Sequence, residues 1–182
     1  MLFIDCFHTN NYLFCFMRKI LFYFVCILFL ISCDNGINEY QRNLAQVQKI
    51  IDDINFYFMD STQIDLNISS YYTEDFLFHT YPVHHKKGLT IDKQAYIDNL
   101  FSIKEKNLKF NIGHVISLPG IDEKSYTIDG SVRIYYGATI FTDTNHVEYS
   151  GYQTINFRDG KLSEAWEWAD YTGIKYMLNQ IN

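Results

Sequence analysis

The sequence predicts an α+β fold in which a curved antiparallel or mixed sheet packs against N-terminal helices around a pocket. Apolar residues recur at helical spacing over residues 39–60, near the start of the chain. Long segments rich in Tyr, Ile, Val and Thr follow in the second half, and turn signals separate them. This order of helices and then hairpin strands is typical of an α+β domain. Gly130 and Gly137 lie inside a long strand and predict a bent sheet, and hence a cone-shaped domain.

Two helices and a short strand are predicted in the first half. The first helix has one apolar stripe, made of Leu44, Val47, Ile50, Ile51, Ile54 and Phe58. The predicted elements are a helix over 39–60, a short helix or turn over 64–72, a strand over 76–81, a loop over 83–90 and a helix over 91–105. Thr90 is the predicted N-cap of the second helix, because its hydroxyl can accept a hydrogen bond from a free backbone N–H.

Four strands and a closing helix are predicted in the second half. They are strands over 110–118, 126–141, 146–158 and 161–169 and a helix over 171–181. The pair Asp159-Gly160 lies between the last two strands and is the strongest hairpin signal in the chain.

A separate signal precedes this domain. Arg18 and Lys19 are followed by the apolar run 20–31 and then by Ser32 and Cys33. The order resembles a bacterial lipoprotein signal peptide, and its apolar run is shorter than the roughly 20 residues of a membrane span. The resemblance implies that Cys33 carries a lipid that anchors the protein to a membrane of the bacterial cell envelope.

The predicted organisation has four segments. They are a misassigned extension over 1–16, the signal peptide over 17–32 with Met17 as the true start, a tether over 33–39, and the folded domain over 40–182. The alternative is that residues 13–31 remain as an uncleaved anchor. Two basic residues near the middle of that span argue against it, since each costs about 2.5–3.5 kcal/mol on insertion.

Composition excludes several classes of function. The four cysteines are Cys6, Cys15, Cys26 and Cys33, so residues 34–182 hold no thiol for a disulfide, a nucleophile or a metal. Residues 33–182 contain 13 basic and 20 acidic residues, which gives a net charge of −7. This charge disfavours nucleic acid as a partner and leaves membrane attachment to the lipid.

The last strands carry a pattern found in a known group of proteins. It runs through Ser150-Gly151-Tyr152, Phe157-Arg158-Asp159-Gly160-Lys161-Leu162, Glu164-Ala165-Trp166-Glu167-Trp168-Ala169-Asp170, Gly173 and Leu178-Asn179-Gln180-Ile181. Residues 40–182 resemble the SnoaL-like group of the nuclear transport factor 2-like superfamily. The resemblance implies a cone-shaped fold with a pocket, and a homodimer as its common assembly. It names no reaction, because this fold supports cyclases, isomerases, dehydratases and binding proteins.

The resemblance also points to one acid. In polyketide-cyclase members an aspartate at the end of the last strand is the general acid/base, and Asp170 matches that position. Those enzymes place a histidine near the position of Ile155 or Asn156, where this chain has none.

Strand alternation predicts which residues accompany Asp170. It places Leu162, Glu164, Trp166, Trp168 and Asp170 on one face of the last strand. If that face is concave, Trp166, Trp168 and Asp170 share one pocket, and an apolar wall raises the pKa of the acid. The alternative is that both tryptophans fill the core and Asp170 caps the terminal helix.

Further candidates lie on the strand before Pro82, in the second helix and on a middle strand. His79 and Tyr81 alternate on the first strand, and His79 is the predicted hydrogen-bond partner of Asp170. Tyr81, Tyr96 and Tyr135 are the predicted pocket tyrosines, although alternation alone sends either Tyr135 or its neighbour inward. The histidines near Pro82 match no ligand motif, so no metal and no other cofactor is predicted.

Three functions are compatible with these patterns. The first is a binding module for a small apolar or aromatic molecule. The second is an isomerase, cyclase or dehydratase with Asp170 as acid/base and His79, Tyr96 or Tyr135 orienting the substrate. The third is a non-catalytic homodimer that forms through the open face of the sheet.

Overall fold

The computed structural model describes residues 17, 20, 35–60, 66–82 and 84–181. The chain divides into two compact units, residues 1–36 and 37–182, and the architecture below is that of the second unit. The predicted lipid-bearing Cys33 and nearly all of the segments over 1–16 and 17–32 lie outside the described residues. No helix among the described residues is both long and apolar enough to cross a bilayer.

Helices and strands follow the predicted order. The helices are α1 (Asn35–Met59), α2 (Lys93–Glu105) and α3 (Tyr171–Ile181), and a 3₁₀ turn covers Ser69–Tyr71. The strands are β1 (Tyr72–Thr80), β2 (Leu89–Asp92), β3 (Lys109–Ile121), β4 (Ile128–Phe141), β5 (His146–Arg158) and β6 (Lys161–Ala169). The predicted bounds of β5, β6 and α3 are confirmed to the residue.

The six strands described form one mixed sheet in the order β2-β1-β6-β5-β4-β3. Its neighbours are antiparallel except β1 and β6, which run parallel with Phe78 opposite Ala165. The apolar stripe of α1 packs on this sheet, since Val47, Ile50 and Ile54 are all buried in the core. The predicted α+β fold with a mixed sheet and an N-terminal helix is confirmed.

The hairpin between β5 and β6 has the tight turn that its sequence predicts. Asp159 and Gly160 have φ values of 54° and 72°. Positive φ at both central residues is the mark of a type I′ turn, whose twist matches that of the flanking strands. The turn therefore fixes the register that follows it, in which Arg158 lies opposite Lys161.

The first half departs from the prediction in two places. Residues 89–92, expected in a loop and a helix, form strand β2, because Thr90 lies opposite His79 in the ladder with β1. The helix therefore begins at Lys93, and its N-cap is Asp92, whose Oδ1 accepts the Ala95 N–H at 2.9 Å. The predicted capping role of Thr90 is wrong, because that residue belongs to a strand.

One ladder irregularity of the sheet lies at the predicted Gly137. The ladder of β4 with β5 is continuous there, with Gly137 opposite Ser150. In the ladder with β3 the register shifts between Ile112, opposite Ala138, and Val115, opposite Tyr136, which brackets Gly137. There the Asn55 side chain of α1 donates to the Ile112 carbonyl at 2.8 Å and accepts the Ile112 N–H at 2.7 Å. These two bonds attach the helix to the sheet where the ladder is interrupted.

Candidate functional site

A cavity of about 580 Å³ lies between the helices and the inner face of the sheet. Its lining comes from α1, α2, the first residue of α3 and all six strands. Most of the lining is apolar, and includes Val47, Ile50, Ile54, Phe76, Phe78, Leu100, Phe110, Ile134, Ile155 and Ala165. The volume falls within the range of about 300–1,000 Å³ that is usual for small-molecule sites.

Glu167 is the one carboxyl among the described residues that line this cavity. It comes from the middle of β6 and is only 8% exposed. The Tyr136 hydroxyl donates to Oε1 at 2.5 Å, and the Gln153 amide donates to the same oxygen at 2.6 Å. Burial raises the pKa of Glu167, and the two hydrogen bonds offset only part of that effect.

Three tyrosine hydroxyls surround this carboxyl. Burial raises the pKa of Tyr96 to about 12, and it also raises the pKa values of Tyr136 and Tyr149. The negative charge of Glu167 adds to the rise in all three, because a phenolate would lie close to the carboxylate. The hydroxyl of Tyr171, another lining residue, is buried and has no hydrogen-bond partner among the described residues. The site thus offers several neutral hydroxyls and one acid.

Gly151 makes room for the hydrogen bond between Tyr136 and Glu167. It lies on β5, opposite Tyr136 of β4. A Cβ at this position would lie 2.4 Å from both Cζ and the hydroxyl oxygen of Tyr136. Only a glycine lets the Tyr136 ring cross the intervening strand and reach β6. Residue 151 is therefore a positioning residue of the site.

A bulge in β6 decides which residues face the cavity. Phe157 lies opposite Leu162, but its neighbour Asn156 lies opposite Glu164, so Ser163 is an extra residue in the ladder. An extra residue reverses the alternation for the rest of the strand. Leu162 faces inward, and after the bulge Ala165 and Glu167 do so as well.

The predicted inward orientation of Trp166 and Trp168 is therefore wrong. Both lie on the outer face of the sheet, and neither lines the cavity. Trp166 stacks on His79 with centroids 5.2 Å apart, and Trp168 stacks on Tyr81 with centroids 4.9 Å apart. Trp168 remains 43% exposed.

The predicted pocket tyrosines are divided between the two faces. Tyr96 lines the cavity, whereas Tyr81 and Tyr135 do not. Tyr135 is 50% exposed and packs on Tyr152, and its neighbour Tyr136 takes the inward position.

The structure does not bring His79 and Asp170 together. The His79 ring is bonded through Nε2 to Glu164 Oε1 at 2.8 Å and through Nδ1 to Thr90 Oγ1 at 2.9 Å. Asp170 is exposed and accepts the Gly173 N–H at 2.8 Å, in the first turn of α3. This is the helix-capping alternative. Neither residue lines the cavity, so their catalytic roles stay predictions.

Sequence reasoning missed Glu167, the central polar residue of the cavity. One signal was available: Ala165, Glu167 and Ala169 alternate with two tryptophans. Small residues on both sides of an acid leave space in front of it, whereas bulky indoles would fill that space. Among the described residues, no group of three His, Cys, Asp or Glu side chains could hold a metal ion.

Comparisons with known proteins fit this architecture. No family model and no curated protein matches the chain. A nuclear transport factor 2-like protein from Anabaena variabilis superposes with a TM-score of 0.52 at 14% identity, over 73% of this chain and 92% of that one. The chain has the nuclear transport factor 2-like fold. All that follows from this similarity is the fold, because the identity is so low.

Two further solved structures share the nuclear transport factor 2-like fold. A phenazine biosynthesis-related protein from Pseudomonas aeruginosa has a TM-score of 0.55 and 11% identity, over 81% of this chain and 86% of that one. A candidate polyketide cyclase from Xanthomonas campestris pv. campestris has a TM-score of 0.54 and 14% identity, over 79% and 99% of the two chains.

The raised pKa of Glu167 predicts how stability depends on pH. A carboxyl whose pKa is higher in the folded state stabilises that state at pH values below its unfolded pKa, here near the ordinary 4.5. The stabilisation is lost as pH rises through the folded pKa. We therefore expect the unfolding free energy of the wild type, minus that of Glu167→Gln, to fall as pH rises above about 4.5. Urea unfolding of both proteins from pH 4 to 8 measures this difference, and a constant or rising difference would contradict it.

Proposed function

We propose that the protein binds a small, largely apolar molecule in the cavity that contains Glu167. The observation that carries this proposal is a cavity of about 580 Å³ whose described lining is apolar apart from a few hydroxyl and amide groups and one buried carboxyl. An apolar lining gains free energy when it excludes water, and a few polar groups suffice to orient a ligand. The names of several proteins with this fold refer to small-molecule chemistry, and one of them is a candidate isomerase from Bacillus subtilis. This similarity supports the proposal that the cavity binds a small molecule.

An uncharged apolar dye tests cavity binding. We expect N-phenyl-1-naphthylamine to bind at one saturable site with a rise in fluorescence, because the lining shields it from water. Ala165 lines the cavity and is 4% exposed, so Ala165→Leu should fill part of the space and weaken dye binding about tenfold. Ala45→Leu, at an exposed position of α1, is the control and should bind like the wild type. Equal binding by all three proteins would show that the dye binds elsewhere.

We also propose that the protein is a lipid-anchored component of the bacterial cell envelope. The support is the sequence order of Arg18 and Lys19, the apolar run 20–31, and Ser32 before Cys33. These residues lie almost entirely outside the described part of the chain. Residues 34–182 hold no cysteine, so Cys33 is the last thiol of the chain.

Metabolic labelling tests lipid attachment. We expect an alkyne-tagged fatty acid to label the wild type in bacterial cells and to leave Cys33→Ala unlabelled. Cys26→Ala is the matched control, because it removes a nearby thiol, within the apolar run, and should keep the label. Intact mass of the wild type should show a lipidated N-terminus at residue 33. A retained residue 1 or 17, or a labelled Cys33→Ala, would contradict the proposal.

We propose, as a second role for the fold, that two copies associate through the outer face of the sheet. A continuous row of large side chains crosses this face in register. It consists of Tyr81, Trp168, Tyr152, Tyr135 and Ile116. Trp168, Tyr135 and Ile116 are 43%, 50% and 49% exposed, and contiguous exposed apolar surface is typical of interaction sites.

Light scattering tests the proposed association. We expect the wild type to have the mass of a dimer at micromolar concentration, and Tyr135→Glu to have the mass of a monomer, because a buried unpaired charge is costly. Tyr176→Glu, at an exposed position of α3, is the matched control and should remain dimeric. A monomeric wild type, or a dimer that tolerates Tyr135→Glu, would overturn the proposed interface.

A further inference from the structure

The described lining of the cavity has an acidic side chain but no basic one. Among the described residues that line it there is no lysine, arginine or histidine, and Glu167 is the one acid. An anionic ligand would face this carboxyl in an apolar surrounding without a counter-charge. The free-energy cost of burying such a pair excludes carboxylates and phosphates as ligands.

Glu167 has one oxygen occupied and one available. Both hydrogen bonds, from Tyr136 and Gln153, end on Oε1. Oε2 has no hydrogen-bond partner among the described residues, and Glu167 lines the cavity, so Oε2 is the oxygen left for a ligand. The two donors on Oε1 also favour the ionised form of the acid, and a cation at Oε2 would complete its coordination.

Aromatic rings are concentrated around the same carboxyl. Tyr96, Tyr136 and Tyr149 lie close enough for the charge of Glu167 to influence the ionisation of each, and Tyr72 and Tyr171 also line the cavity. Aromatic rings attract cations through their electron-rich faces, and a desolvated contact of this kind contributes about 2 kcal/mol. A carboxylate among tyrosines is therefore a favourable environment for an organic ammonium group.

We propose that the cavity selects an organic cation: a molecule with an apolar body and one ammonium group, which pairs with Oε2 of Glu167 among the surrounding tyrosines. This inference rests on the proposed binding function and specifies its ligand class. The apolar lining holds the body of the ligand, and the ion pair and the aromatic rings hold its charge. The same chemistry accommodates a quaternary ammonium and a protonated tertiary amine, which differ in having no N–H or one N–H to donate.

Displacement of the bound dye N-phenyl-1-naphthylamine compares probes of equal shape. Benzyltrimethylammonium and neopentylbenzene differ only in a charged nitrogen in place of a carbon. We expect the cation to displace the dye at a concentration about tenfold lower than its neutral isostere. Protonated N,N-dimethylbenzylamine is the third probe. Tighter binding of this probe than of the quaternary ion would indicate a hydrogen bond from its N–H to Oε2. Equal binding would indicate that the charge and the aromatic rings alone determine the affinity.

Two isosteric variants test which carboxylate is responsible for the selection of cations. Glu167→Gln keeps the oxygen that accepts from Tyr136 and Gln153 but removes the charge, so we expect the affinity for the cation to fall about tenfold relative to the affinity for neopentylbenzene. Glu164→Gln is the matched control, because Glu164 lies on the same strand but pairs with His79 on the outer face. It should bind both probes like the wild type. Equal loss of cation binding in both variants would overturn the proposal.

The pH dependence gives an independent readout. Benzyltrimethylammonium does not titrate, and the other ionisable lining residues are Tyr72, Tyr96, Tyr136, Tyr149 and Tyr171. Its affinity should therefore rise as the pH is raised above about 4.5 and Glu167 ionises, and the rise should be absent in Glu167→Gln. An affinity that is independent of pH in both proteins would count against pairing with Glu167.

The outcomes separate this inference from the function on which it rests. If neopentylbenzene displaces the dye as well as the cation does, the cavity binds apolar molecules but does not select cations. If the dye itself fails to bind, the proposed binding function fails first. Selection of the cation that disappears in Glu167→Gln supports both.

Discussion

Burial of the Glu167 carboxyl is the constraint on which this structure depends. Removing a carboxylate from water costs several kcal/mol unless hydrogen bonds or a partner charge replace the lost solvation. Here the Tyr136 hydroxyl and the Gln153 amide replace part of it, and both come from strands beside β6. Three features of the sheet make this arrangement possible. They are the bulge at Ser163, the glycine at position 151 and the strand order β4-β5-β6. Each is needed to place donor and acceptor on one face.

The two faces of the sheet differ in what their side chains contact. The inner face carries alanines, branched aliphatic residues and tyrosines around an open volume, so its polar groups act on whatever enters that volume. The outer face carries stacked rings, among them Trp166 on His79 and Trp168 on Tyr81. These rings pack on one another and not around an open volume. Aromatic residues on a strand therefore do not by themselves identify a pocket. They are also common on sheet faces where aromatic side chains pack on one another or on another protein.

Sequence reasoning recovered most of the fold but little of the site, for an identifiable reason. β5, β6 and α3 were predicted to the residue because a type I′ hairpin signal and clear breaks bound them. The four-residue strand β2 was missed, since so short a segment has little periodicity and its pairing with β1 is a tertiary contact. A single extra residue, Ser163, reversed every orientation predicted after it, and nothing local in the sequence marks a bulge there. The same reversal explains why the acid that lines the cavity is Glu167 and not Asp170.

The parallel pairing of β1 with β6 also bears on how the chain acquires its structure. His79 and Glu164, which meet across that pair, are separated by 85 positions. Residues 81–160 are synthesised after β1 and before β6, so during that interval one edge of β1 has only solvent or a chaperone to bind. The pairing of β1 with β6 forms only when residues 161–182, about the last eighth of the polypeptide, are synthesised. Such late pairing predicts slow folding that is completed only after most of the chain has been synthesised.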